Sequence, residues 1–116
     1  MYVETMTNPT LKVCDLSAMA ELAKENNLIS VVDNTFVSPW SCNPIEMGFD
    51  IVIHSGTKYL GGHSDLTAGF VAGKKTLVAE IFHNKIYLGG AADPHMCYLL
   101  ERGTVSYTHL TLPTKA

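Results

Sequence analysis

The chain predicts an α/β fold with a mostly parallel sheet and flanking helices. Two apolar runs, residues 28–32 and 51–53, are too short for helices and apolar on both faces, as buried parallel strands are. They alternate with longer segments whose apolar residues recur at helical spacing, the pattern of an α/β layer. Polar residues with chemical potential, Asp33 and Ser55, follow the two runs. In open α/β sheets ligands gather beyond the carboxyl ends of the strands.

In chain order, residues 2–5 read as the end of a strand and lead into a loop holding Asn8 and Pro9. Asp15 is a capping residue for a helix through about Glu25, with Leu16, Met19, Ala20 and Ala23 on one stripe and Asn26 and Asn27 at its end. A polar, proline-containing connection over 38–48 separates the two buried strands. Residues 66–72 form the next predicted strand. Residues 74–84 form a helix whose stripe is Leu77, Val78, Ile81 and Phe82. Asp93 and Pro94 open a last helix through Glu101, since proline is tolerated in a first turn.

The 116 residues make one small domain at most. A hydrophobic content of 47%, a charged content of 16% and a net charge of −3 argue against disorder, a basic nucleic-acid surface or a membrane-binding face. No apolar run reaches the roughly 20 residues that span a bilayer. The start, MYVETMTNPT, lacks the basic and apolar regions of a signal peptide. Cys14, Cys42 and Cys97 are odd in number and widely spaced, which speaks against a zinc site or a disulfide framework and for free thiols in a reducing, cytoplasmic compartment.

The chemistry concentrates in DIVIHSGTKYLGGHSD, residues 50–65, where a strand delivers Ser55, Thr57 and Lys58 into a glycine-containing turn. VVDNTF, residues 31–36, ends a second strand in Asp33, so an amine and a carboxylate can face one crevice. Pyridoxal phosphate chemistry needs that pair: a lysine forms a Schiff base with the cofactor aldehyde, and an aspartate keeps the ring nitrogen protonated. Hydroxyls at Ser55 and Thr57, with backbone amides of the turn, suit a phosphate, although they also suit local backbone bonding.

The string DIVIHSGTKYLGGHS, residues 50–64, resembles the signature of the Cys/Met metabolism family of pyridoxal phosphate enzymes. The likeness extends through ETMTNPTLKVCD (4–15), VVDNTFVSPW (31–40) and GGAADPHMCYLLERG (89–103). It implies the central part of the cofactor-binding large domain of the aspartate-aminotransferase-like architecture, fold type I. It also implies pyridoxal 5′-phosphate as cofactor, with Lys58 as the Schiff-base lysine and Asp33 as the partner of the ring nitrogen. By the same resemblance Ser55 and Thr57 hold the phosphate, Asn8 lies near the phenolic oxygen, Thr35 packs under the ring, and Glu4 stands at the edge of the substrate site. Members include cystathionine lyases, cystathionine γ-synthase, methionine γ-lyase and homoserine sulfhydrylases, so the implied reaction is β/γ-elimination or γ-replacement on a small sulfur amino acid or homoserine ester. The implied assembly is a homotetramer built as a dimer of dimers.

The resemblance also implies elements outside this sequence: a phosphate loop and a stacking tyrosine before it, a smaller domain with a carboxylate-binding arginine after it. Residues 1–104 are thus expected to be a partial large domain. Residues 105–114, VSYTHLTLPT, resemble a translated sequencing adapter, and 105–116 are expected to be a non-native tail, its alternation carrying strand propensity. His54 reads as a packed strand histidine and His63 as a loop-ordering one, while His83, His95 and His109 lack metal-ligand spacing. The tetrad at 55–58 also matches the S-x-x-K pattern of serine acylases, but no S-D-N or K-T-G element follows. Gly61 and Gly62 lack dinucleotide-loop and P-loop spacing. Three readings remain: a fragment of a sulfur amino acid enzyme, a truncated chain without independent activity, or a non-catalytic interaction module.

Overall fold

A computed structural model of the chain describes the backbone of residues 1–111 and side chains through residue 107. Strands β1 (Tyr2–Glu4), β2 (Val31–Asp33), β3 (Ile51–Ser55) and β4 (Gly69–Gly73) form one sheet in the order β1-β2-β3-β4. The first three are parallel, in a register that pairs Glu4 with Asp33 and Asp33 with Ile53. β4 runs antiparallel to β3, pairing Ser55 with Gly69 and Ile51 with Gly73. The sheet is mostly parallel, as its buried apolar runs imply, with one reversed edge strand.

Helix α1 (Leu16–Glu25) starts at Asp15, whose Oδ1 accepts from Ala18 N at 3.0 Å, satisfying one of the orphan donors of the first turn. Its stripe of Leu16 and Ala20 meets Val32, Phe49 and Val52 from the sheet side, with Met19 and Val3 packed at the margin. Each large side chain fully buried there contributes about 1.5–3 kcal/mol. Val32 is wholly buried, which follows from its position on a central strand.

Five elements differ from the sequence expectation. β4 spans Gly69–Gly73 instead of 66–72, because residues 66–68 are still in the connection that returns to the lysine turn. β2 begins at Val31, because Leu28 and Ile29 remain exposed in the connection from α1. A short helix α2 (Ser38–Ser41) lies inside the proline-containing connection. Helix α3 (Lys75–Leu88) runs past its expected end to Gly89, whose left-handed backbone (φ 75°) closes it. Its apolar stripe buries no residue, because it packs chiefly against the edge strand β4. Helix α4 (Pro94–Thr111) starts where expected, with Asp93 Oδ1 accepting from His95 N and Met96 N, and continues beyond Glu101 instead of giving way to the strand that residue preference allows. Residues 112–116 of the expected tail lie outside the described residues. No helix among the described residues is long and apolar enough to cross a membrane.

The amino ends of the strands are clamped by Asp50. Its Oδ2 accepts from Ser30 N at 2.7 Å and Ser30 Oγ at 3.0 Å, and Oδ1 pairs with Lys74 at the start of α3. Lys74 above all, then the Ser30 amide, holds the carboxyl below the usual carboxylate range. A carboxylate with a depressed folded-state pKa adds stability that is complete above its unfolded pKa and lost as pH falls through the folded value. Asp50→Asn is therefore expected to lower unfolding free energy by about 1–2 kcal/mol near neutrality. The variant's deficit should shrink as urea titrations move from about pH 7 to about pH 3.

Candidate active site

The carboxyl ends of β1, β2 and β3 open into one cavity of about 1250 Å³. Asn8, Asp33, Thr35, Ser55, Thr57 and Lys58, the six residues singled out in the sequence, all line it. Glu4 is also on its wall. The parallel strands bring them together: Asp33 ends β2, Ser55 ends β3, and Thr57 and Lys58 sit in the π-helical turn Gly56–Leu60 that follows β3 directly.

Asp33 is fixed at both oxygens. Its Oδ1 accepts from Thr35 N at 2.9 Å and its Oδ2 from the Tyr2 hydroxyl at 3.2 Å. Thr35 Oγ1 in turn accepts from Ser55 N at 2.7 Å, so the threonine joins the end of β2 to the end of β3. Beneath them Asn34 is completely buried: Oδ1 accepts from Thr5 Oγ1 and Nδ2 donates to Cys42 O, both at 2.8 Å. Asn34 escaped the sequence reading because nothing in DNTF distinguishes a structural amide from a solvated one.

The lysine turn is held from two sides. Ala68 O accepts from Gly56 N at 2.8 Å, and Ala68 N donates to Thr57 Oγ1 at 3.1 Å. Lys58 leaves the helical backbone range (φ −96°, ψ −127°), which kinks the turn at that residue, and its side chain is exposed to the cavity. Helix α4 leans on the same turn. A Cβ at Gly103 would lie 2.6 Å from Leu60 O and 2.3 Å from Gly61 O, so only glycine permits that approach.

His63 Nδ1 lies 2.8 Å from Gly61 O, the loop-ordering contact expected of it. His54 packs within β3 and its Nδ1 is buried without a hydrogen-bond partner among the described residues. Burial pushes its pKa below the ordinary imidazole value, partly offset by the charge of Asp33. Two further contacts come from α4: Arg102 pairs with Asp65 on the cavity wall, and the Tyr107 hydroxyl, also on that wall, shares a hydrogen bond with Ser38 Oγ. Tyr107 belongs to the stretch to which the sequence attaches no role. No group of three or more metal-ligating side chains occurs among the described residues.

A parallel sheet that presents an amine, a held carboxylate and two hydroxyls at one crevice defines a class of site suited to an anionic, aldehyde-bearing ring. Comparison with known proteins gives the family. The model described as Cys/Met metabolism PLP-dependent enzyme matches residues 1–109, and the chain belongs to that family. It is 46% identical over 105 residues to a cystathionine beta-lyase of Coxiella burnetii and 46% identical over 104 residues to a cystathionine gamma-lyase of Bacillus subtilis. Each match covers 89% of this chain and 27% of the relative, so the chain spans about a quarter of their length. Among solved structures, a cystathionine gamma-lyase of Lactobacillus plantarum complexed with L-serine superposes with a TM-score of 0.87 at 42% identity, over 92% of this chain and 28% of that one. A cystathionine gamma synthase of Xanthomonas oryzae pv. oryzae gives 0.89 at 37% identity, over 93% and 28%. The fold is that of the fold type I enzymes, and the family implies pyridoxal 5′-phosphate as cofactor.

The Thr35 link has a measurable consequence. Thr35→Val keeps the shape but leaves the Ser55 amide without its acceptor, at a cost of about 1–3 kcal/mol. Thr35→Ser, which keeps the oxygen, is expected to recover most of that loss in urea denaturation.

Proposed function

We propose that this chain is the cofactor-holding portion of a pyridoxal 5′-phosphate-dependent enzyme of sulfur amino acid metabolism. The convergence of Lys58, Asp33, Ser55, Thr57, Asn8 and Thr35 on one cavity carries the reading. The donor set fits the group: an exposed amine for its aldehyde, a carboxylate held at both oxygens for its ring nitrogen, and hydroxyls at a strand end for its phosphate. Bound there, the cofactor supplies an electron sink for bond breaking at the amino acid α-carbon.

The chain's own residues perform separable tasks. Lys58 Nζ would be the point of attachment for the cofactor aldehyde and, when free, would serve as the base for the α proton. Asp33 keeps a proton on the ring nitrogen. Thr57 Oγ1 already accepts from Ala68 N, which leaves its hydroxyl hydrogen to turn toward phosphate; its bond to Ala68 O is long, 3.5 Å. Ser55 supplies a second hydroxyl, and Asn8 an amide for the phenolic oxygen. Thr35 uses its side-chain oxygen on Ser55 N, so its support of the ring is combined with bracing of the strand ends.

For the complete enzyme the reading assigns elimination or replacement at the β or γ carbon of cystathionine, methionine or homoserine-ester substrates, in a cytoplasmic homotetramer. Names of relatives on both the lyase and the synthase side support that class. The remaining residues, 105–116, are read as a non-native tail.

Pyridoxal 5′-phosphate incubated with the chain and trapped by borohydride is expected on Lys58 in peptide mass analysis. Lys58→Ala should reduce trapping to the background of the surface lysines. In the complete enzyme the same substitution should lower turnover by at least about a hundredfold, the lower end for loss of a positioned acid–base group. Equal trapping on another lysine, with turnover retained, overturns the assignment.

A further inference from the structure

Tyr2 lies on β1 one strand away from Asp33, on the same face of the sheet as Glu4, which is Asp33's register partner. From that position its ring crosses diagonally and its hydroxyl stands 3.2 Å from Asp33 Oδ2. The opposite oxygen, Oδ1, is taken by Thr35 N at 2.9 Å. A carboxylate with one donor turns about its Cβ–Cγ bond at little cost, whereas one with a donor on each oxygen has its plane fixed. The acid that faces the cavity is therefore oriented by two groups, one of them a backbone amide and the other a side chain from the adjoining strand.

We propose that Tyr2 is a positioning residue, donating its phenol proton to Asp33 and setting the plane in which that carboxylate meets a ligand nitrogen. The inference rests on the assignment of Asp33 as partner of the cofactor ring nitrogen. The same contact bears on the phenol, whose pKa is raised by burial, then by the charge of Asp33 and the bond to it, and to a smaller extent by Glu4. An ionised phenol would face both carboxylates, which keeps Tyr2 a proton donor near neutral pH.

The experiment has two arms. In the cofactor-free chain, alkaline ultraviolet titration of the five tyrosines, with Tyr2→Phe as subtraction, isolates the Tyr2 phenol. Asp33→Asn should move its titration to lower pH, and Glu4→Gln should move it less. A Tyr2 phenol that titrates unchanged in Asp33→Asn overturns the contact, whatever the cofactor does. In the second arm pyridoxal 5′-phosphate is titrated by absorbance into the native chain, Tyr2→Phe, Asp33→Asn and the double variant, with circular dichroism recording that each is folded. Tyr2→Phe should weaken binding about three- to tenfold, the scale of one ordinary net hydrogen bond, and should add nothing in the Asp33→Asn background. Weakening by Asp33→Asn without weakening by Tyr2→Phe, or an equal Tyr2→Phe effect in both backgrounds, removes the role of Tyr2 alone. Undiminished binding in Asp33→Asn removes the Asp33 assignment and the role of Tyr2 with it.

Discussion

Thr35 holds the ends of two neighbouring strands at a fixed separation, and the arrangement of the cavity follows from that. Its amide donates to Asp33 and its hydroxyl oxygen accepts from Ser55, so the acid of one strand and the backbone that leads to the lysine of the next are joined through one residue. The parallel ladder brings them near each other, since Asn34 N donates to Ile53 O just below. A ladder alone leaves strand ends free to splay. The threonine bridge, with the buried Thr5–Asn34–Cys42 chain beneath it, removes that freedom and satisfies polar groups that burial would otherwise leave costly.

The charges around the cavity are arranged so that few of them compete. Asp65 is committed to Arg102, which holds its carboxyl below the usual range, and His54 is disfavoured as a cation by its burial beside Asp33. Glu4 and Asp33 face each other across the register, two carboxylates on adjoining strands, with Lys58 the cation among the described residues of the wall. Such a wall places two carboxylates on one side and the cation, with the hydroxyls of Ser55 and Thr57, along the strand end beside them.

The legible parts of the chain were those in which one residue carries its own reason. Asp15 capped α1 at the expected place because its side chain bonds locally; Asp33, Ser55, Thr57 and Lys58 were found because they follow strand ends, and Asn8 and Thr35 through the family resemblance. The direction of β4 was illegible, since an apolar run specifies burial and not polarity; its reversal depends on Ala68 meeting both Gly56 and Thr57. The length of α4 was missed for a different reason. Strand preference over 105–111 is weaker than continuation of a helix already seated by Gly103 against the carbonyls of residues 60 and 61. Tyr2 gave no sign of its contact, because reach across a diagonal exists only once the register is known.

The reversed β4 has a consequence for how such a site can diversify. Because that strand runs against its neighbours, its first residues stand at the open end of the sheet, and the segment from Gly61 to Ala68 forms part of the cavity wall before entering it. One end of this segment leaves the lysine turn and the other returns to bond that turn through Ala68. The rim of the cavity and the anchor that steadies the lysine turn are thus a single closed strap. Lengthening or shortening it to reshape the rim would disturb the turn that carries Lys58 as well, so the cavity mouth can be altered independently of that turn only by exchanging side chains at constant loop length.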